Sequence, residues 1–465
     1  MLKKILHHKV FKNFSYLTAG TVISQLISLV TILRVTHILN PAGYGIFSFL
    51  IVQGILLLNI SDLGVRNIVV RTIARDPNTA NDMIINGARI RTVAMMGLIV
   101  LYLAYNHFLG TLSTLQLMLL FGYSYANCLA NMLENTFIGN QKMLIPSVAN
   151  MTTSLLWLIA VYTLPVSRAN VDSLFALYVI VSILKIVLFY FFLKKRHLLL
   201  GKVQSFRISA PRIIKESWPY FVLVLLMLPF SALSNNFLAL NAKPEQLGYF
   251  NLSQRLLGPV SIIIEVGFAA IFPNLSSLWA KDEDQFYGYI SIGFKYFMML
   301  ALVLCFLFAL FAQDIVKLLF SAKYLPAVKI SQLQIWYTFL ATVDSLIGFI
   351  LSAINKDKVI LKFGIYKAIF CTPFLYIGSM YGALGLSYGY VISLALFNIY
   401  LWIGFKRALN SRISKVAVLW VFSAALFLVS YFLPANIFVI RVIIALAAMG
   451  FTGYYIAKNY KTALV

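Results

Sequence analysis

Long apolar runs follow one another from residue 14 to residue 456, joined by connections too short to fold by themselves. Fourteen of these runs have roughly the length a helix needs to cross a bilayer, about 20 residues. Six lie at 14–38, 46–65, 90–107, 115–138, 144–164 and 174–193. Six more lie at 216–240, 248–275, 288–311, 327–353, 359–379 and 384–405, and two close the chain at 416–433 and 437–456. Lipid offers the backbone no hydrogen-bond partner, so such runs fold as helices that satisfy their own peptide groups. The expected fold class is all-α integral membrane, with about 14 transmembrane helices.

The charge content agrees. Only 11% of the 465 residues are charged, against about 25% in soluble domains. Yet 38 Lys and Arg face 14 Asp and Glu, a net charge of +24. The basic residues sit mostly between the apolar runs, where they act as topology signals; nucleic acid is not an expected partner. With the N-terminus in the cytoplasm, 27 of the 38 basic residues fall in cytoplasmic connections or at the span edges beside them, and 5 in or beside external ones. Both termini are therefore expected in the cytoplasm, and the opening MLKKILHHKVFKNF leads into an uncleaved span. The most basic connection, 194–215, is the expected division between an N-terminal lobe over 1–200 and a second lobe over 201–406. Residues 407–465 then form two extra helices. Cys128, Cys305 and Cys371 each stand alone in an apolar run and read as small core residues.

A short pattern recurs. Pro41-Ala-Gly-Tyr-Gly45-Ile-Phe47 and Pro244-Glu-Gln-Leu-Gly248-Tyr-Phe250 both read P-x-x-x-G-x-F, and both join the first and second helix of a half. A chance turn is the competing reading; the equal helix count on either side favours an internal repeat, a common transporter plan.

Several segments resemble the polysaccharide-transport family. Ile38-Leu-Asn-Pro-Ala-Gly-Tyr-Gly-Ile-Phe47 is similar to that family's loop after the first helix, with His37 where members often carry Arg. Asn59-Ile-Ser-Asp62-Leu-Gly64-Val-Arg66, continuing to Arg71, resembles its Asp-x-Gly turn. Leu247 to Leu256 and Phe272-Pro-Asn-Leu-Ser276 resemble the two ends of its eighth helix. The family includes the Wzx-type O-antigen flippases and shares a superfamily, known as MOP, with MATE drug exporters and lipid II flippases. The resemblance implies two six-helix lobes in a V-shaped MATE-like arrangement, opening alternately to each side of the inner membrane. It implies an undecaprenyl-diphosphate-linked oligosaccharide as substrate, and polymerase and chain-length proteins of the same pathway as partners.

Charges within spans cost about 2.5–3.5 kcal/mol each at the helix centre on insertion scales, so those that persist face water or a partner. The deepest are Lys185, Arg255, Glu265, Lys295, Asp344 and Lys367; Arg34 and Arg441 lie nearer the external ends, Asp62 and Glu134 nearer the cytoplasmic ends. Four of the six deep charges are basic, which suits a diphosphate. Lys185, Arg255, Lys295, Lys367, Arg34 and Arg66 are the candidate substrate-binding residues. For Arg34, Arg441 and Lys295 the competing role is snorkelling to an interface, and for Lys185 it is pairing with a buried acid. Asp62, Glu134, Glu265 and Asp344 are candidate ion-coupling or structural acids, the coupling ion being a proton or Na+. Asp62 is expected mainly as a turn residue. Prolines 219, 229, 259 and 273 mark expected helix bends. Tyr and Phe offer stacking surfaces for sugars, against a lipid-facing or belt role.

No phosphate-binding loop, H-E-x-x-H or G-x-S-x-G motif is present, so no catalytic residue, cofactor or metal is expected. A small-molecule antiporter of the same fold and a membrane glycan polymerase or ligase are the alternatives. For the enzyme reading only the external segment 312–329, with Lys317, Lys323 and Lys329, has the length, and it reads as an amphipathic interfacial helix.

Overall fold

A computed structural model describes residues 9–110, 112–409, 417–433 and 438–463, and every regular element among them is helical. The opening residues 1–8 and the connection 410–416 lie outside the described residues, as do the side chains of 272–276 and with them the Pro273 motif. Among the described residues, ten helical stretches are long and apolar enough to cross a membrane.

The first half contains α1 (Lys9–Ile38), α2 (Pro41–Ser61), the short α3 (Val65–Arg75), α4 (Ala80–Leu109), α5 (Thr114–Gly139), α6 (Leu144–Thr163) and α7 (Val171–Lys195). The connections are tight because polar side chains cap the helices. Asn40 accepts from the Gly43 amide at 2.7 Å ahead of Pro41. Ser113 with Gln116, and Asn170 with Ser173, form reciprocal capping boxes at the starts of α5 and α7. Such caps satisfy orphan amides that lipid would leave bare. The second half contains α8 (Phe206–Met227), α9 (Ala232–Asn241), α10 (Pro244–Lys281), α11 (Glu283–Leu319), α12 (Ala327–Ala353), α13 (Asp357–Ser379) and α14 (Gly382–Ala408). Two further helices, α15 (Ala417–Phe432) and α16 (Phe438–Ala463), follow.

The repeated P-x-x-x-G-x-F pattern occupies equivalent places. Each Pro begins a helix, α2 or α10, and Gly45, Phe47, Gly248 and Phe250 are all buried. The packing repeats too. In the first half α5 packs on α2, α4, α6 and α7; in the second α12 packs on α10, α11, α13 and α14. The fourth span of each half is thus the hub of its bundle.

The chain divides into compact units at 1–239 and 240–465. The first unit takes in α8, which packs on α2, α3 and α4. The connection itself is latched to the first unit. Buried Asp82 accepts from the Gln204 amide at 2.8 Å, from the Ser209 hydroxyl at 3.1 Å and from the Asn86 side-chain amide at 2.7 Å. Of the expected bends, Pro229 interrupts its span, in a single 3-10 turn between α8 and α9. Pro219 lies inside α8, and α10 runs unbroken past Pro259.

The segment 312–329 is not a separate interfacial helix. α11 continues to Leu319, one 3-10 turn spans Ala322–Tyr324, and α12 starts at Ala327. The apolar contacts of Val316, Phe320 and Tyr324, all buried, hold this stretch in the bundle. Lys329 donates to the Tyr431 carbonyl at 2.8 Å and lies over that ring. The two last helices dock through polar bonds: Trp336 donates to Ser430, and Arg441 pairs with Asp314 and donates to the Leu310 carbonyl at 3.0 Å. Arg441 is 2% exposed, so it joins helices instead of snorkelling. Hydrogen bonds of this kind hold helices together where no hydrophobic drive exists.

α13 and α14 approach backbone to backbone. A Cβ at Gly378 would stand 2.6 Å from the Gly385 carbonyl oxygen, and one at Gly385 would stand 2.5 Å from that of Gly378. Close approach through small residues is the membrane form of tight packing. Gly378→Val is expected to destabilise the purified protein by about 1–3 kcal/mol, the usual cost of overpacking. A thermal unfolding curve in detergent checks this; an unchanged midpoint would show that the two helices can separate freely.

Candidate functional site

In the first unit, the Asp-x-Gly turn shapes the end of α2. Leu63 and Gly64 are both left-handed, at φ 49° and 75°. A Cβ on Gly64 would stand 2.5 Å from the Ser217 carbonyl oxygen and 2.8 Å from the Phe221 amide nitrogen, so α8 needs glycine here. The turn launches α3, which buries Val65, Ile68, Val69 and Ile73 and leaves Arg66 and Arg75 exposed. Asp62 sits at the last residue of the α2 end and accepts from the Arg66 amide at 3.3 Å. Its carboxylate also pairs with Arg91, which is 2% exposed and reaches the Cys128 carbonyl at 3.4 Å. Asp62 is therefore both a turn residue and half of a buried ion pair.

Arg91 is the buried ion-pair partner that the sequence hid, because it falls at the very start of an apolar run and counts there as a loop cation. Its signal is the Asp-x-Gly turn: an acid at a membrane-embedded helix end calls for a cation nearby. Deeper in the unit, Lys185 on α7 pairs with Glu134 on α5 at 3.6 Å and lies over the Phe189 ring. Glu134 also accepts from Asn150 at 3.1 Å. Arg34 lies over the Tyr162 ring at 5.5 Å, and its Nε is buried without a hydrogen bond. Arg71 and Arg212 both pair with Glu216, tying α3 to α8.

The second unit repeats the theme. Lys367 on α13 pairs with Asp344 on the hub helix α12 at 2.6 Å. Each hub thus carries an acid held by a lysine from a neighbouring helix. Lys295 is half-buried on α11. Arg255 and Glu265 are both exposed on α10 and make no ion pair among the described residues. The structure therefore brings together Lys185 with Glu134, Lys367 with Asp344, and Asp62 with the Arg66 amide. It leaves Arg255 with no counter-ion among the described residues.

Among the described residues, three cavities accompany these charges. One, of about 610 Å³, lies in the first unit between α4, α5 and α7 and is walled mainly by aliphatic side chains. One of about 460 Å³ lies on α13 and α14, among Tyr366, Phe370, Phe397 and Tyr400. The third, of about 140 Å³, lies between α10, α12 and α14 and presents Gln254, Ser261, Gln334, Tyr337 and Thr338.

Comparison with known proteins places this arrangement. The family described as "Polysaccharide biosynthesis protein" matches residues 10–279. No curated protein sequence matches the chain. Among solved structures, the lipid II flippase MurJ in an inward closed conformation is 14% identical with a TM-score of 0.70, over 96% of this chain and 99% of that one. An inward-facing multidrug resistance MATE transporter of the MOP superfamily is 13% identical with a TM-score of 0.64, over 84% and 95%. The Vibrio cholerae MATE transporter VcmN is 16% identical with a TM-score of 0.56, over 87% and 97%. The fold is therefore that of the MOP transporters, and the chain is a multi-pass membrane protein.

Proposed function

Because the chain belongs to the polysaccharide biosynthesis protein family, we propose that it is a flippase for lipid-linked oligosaccharide. It carries an undecaprenyl-diphosphate-linked repeat unit, such as an O-antigen unit, from the cytoplasmic to the outer face of the bacterial inner membrane. The observation that carries this reading is the family match over 10–279, on a chain whose fold is that of transporters.

No covalent chemistry is required. The isoprenoid tail stays in lipid while the head group meets a site that opens alternately to either side. A diphosphate needs fixed cationic donors to replace its water. Arg255, exposed and without an acidic partner among the described residues, is assigned that role, with Arg34 in support. Lys185 and Lys367 spend their charge on Glu134 and Asp344 and are assigned to holding the hubs. Glu265, exposed on the same helix as Arg255, is the acid assigned to a coupling proton or sodium ion. Both termini are assigned to the cytoplasm by the distribution of Lys and Arg.

A small-molecule antiporter is the second reading, favoured by the likeness to MATE transporters. Proteoliposomes separate the two. Vesicles are prepared with undecaprenyl diphosphate N-acetylglucosamine, and an external enzyme that modifies its sugar reports the exposed fraction. The flippase reading expects the protected inner half to become accessible only with protein present. Proton- or sodium-driven movement of ethidium, with the lipid still protected, would select the antiporter.

A further inference from the structure

We infer that the 140 Å³ pocket of the second unit is a subsite for one uncharged, hydroxyl-bearing sugar ring of the cargo. The inference rests on the flippase reading and adds to it where, and by what chemistry, the glycan is held.

Three features of the pocket point to that ligand. First, most of its polar groups are uncommitted; Thr338, which donates to the Gln334 carbonyl at 3.1 Å, is the exception. Gln334 is 3% exposed, and its Oε1 has no hydrogen-bond partner, while its Nε2 reaches the Phe250 carbonyl only at 3.4 Å. Gln254, Ser261 and the Tyr337 hydroxyl make no side-chain hydrogen bond among the described residues. An unsatisfied polar group in a membrane-embedded bundle is costly, so the buried Gln334 Oε1, facing a space that also presents amide and hydroxyl groups, marks a place for a polar occupant.

Second, the walls are aromatic. Tyr337 and Tyr390 meet edge to face at 4.6 Å between centroids, and Phe250 stacks with Tyr390 at 6.0 Å. Flat apolar rings beside amide and hydroxyl groups match a pyranose, which has C–H faces and a rim of hydroxyls. Third, no charged side chain lines the pocket. The nearby Asp344 is held by Lys367, so neither an anion nor a cation finds an unbalanced charge there. Arg255, next to Gln254 on α10, supplies charge to a neighbouring anionic part of the cargo without entering the pocket.

The other two cavities lack this character. In the larger one, Thr92 and Tyr125 bond to each other at 3.3 Å and Arg89 reaches Asn86 at 3.4 Å, so its polar groups already have partners. The cavity on α13 and α14 is walled by aromatic and aliphatic side chains alone.

The test measures binding of two kinds of probe to the full-length protein in nanodiscs. One is bare undecaprenyl diphosphate; the other is the same lipid carrying a single glucose, galactose or N-acetylglucosamine. The wild-type protein is expected to bind at least one glycosylated probe about tenfold more tightly than the bare lipid, the worth of one or two net hydrogen bonds. Gln254→Leu, Gln334→Leu and Tyr337→Phe are each expected to shrink that preference severalfold, with affinity for the bare lipid retained. Gln254 is exposed, so its replacement carries the test even where Gln334→Leu fails to fold. Equal binding of all probes by the wild-type protein would overturn the subsite and leave the flippase reading standing. Preference that survives in the folded variants would do the same. Binding of neither kind of probe would overturn both.

Discussion

Arg255→Ala is expected to abolish display of the surface glycan while the protein remains inserted at normal level. The side chain is exposed on α10 and has no acidic partner among the described residues, so its removal leaves no buried charge behind and the bundle loses nothing it needs. What is lost is a charge-assisted donor to the diphosphate. Truncating one side of such a contact costs 2–5 kcal/mol, which corresponds to a fall in transport of roughly thirtyfold or more. Arg255→Lys keeps the charge without the planar fork and is expected to retain part of the activity. Glycan display and membrane protein level, measured together in a deletion host, check this. Full display by Arg255→Ala would remove the residue from the head-group site. Lys185→Ala serves as the contrast. It strands Glu134 without its lysine, so its defect should appear as lower protein level, and Glu134→Gln in the same chain should restore it.

Arg91→Met is expected to be the most destabilising single change in the first unit. Arg91 is 2% exposed and pairs with Asp62. Removing one member of a buried pair leaves an uncompensated charge, at about 3–5 kcal/mol. Asp62→Asn also strands a charge, that of Arg91 at 2% exposed, and should cost less only because its amide oxygen can still accept from Arg91 and from the Arg66 amide. The double variant Asp62→Asn with Arg91→Met should recover a large part of the loss, since no stranded charge remains. Thermal unfolding of the purified proteins in detergent gives all three values. Additive losses in the double variant would show that the two side chains are not coupled.

The architecture was legible in the sequence where its cause is local. Apolar length and the alternation of basic connections announce a multi-helix membrane bundle, because both follow from the bilayer as solvent. The P-x-x-x-G-x-F repeat was legible because proline starts a helix wherever it stands at the first turn, and both copies do so. The charges were found by position but not by partner. Lys185 and Glu134 lie far apart in sequence, as do Lys367 and Asp344, and only the packing of α7 on α5 and α13 on α12 joins them. Arg91 was hidden because a run boundary decides whether a cation counts as loop or span, and apolar runs place that boundary only to within a few residues. The interfacial helix expected over 312–329 failed for a related reason. Three lysines gave that stretch a polar face, but Phe320 and Tyr324 bury themselves in the bundle and α11 extends to Leu319. Charge density marks a connection, whereas a compact unit is set by which helices pack together, and α8 packs on helices of the first unit.

Deletion of the gene in its own host tests the central claim most directly, with the location of the lipid-linked repeat unit as the readout. The account predicts that undecaprenyl-linked repeat units build up on the cytoplasmic face, that surface glycan is lost, and that the wild-type chain restores both. Repeat units that still reach the outer face and wait there unpolymerised would contradict it and place the protein in a later step.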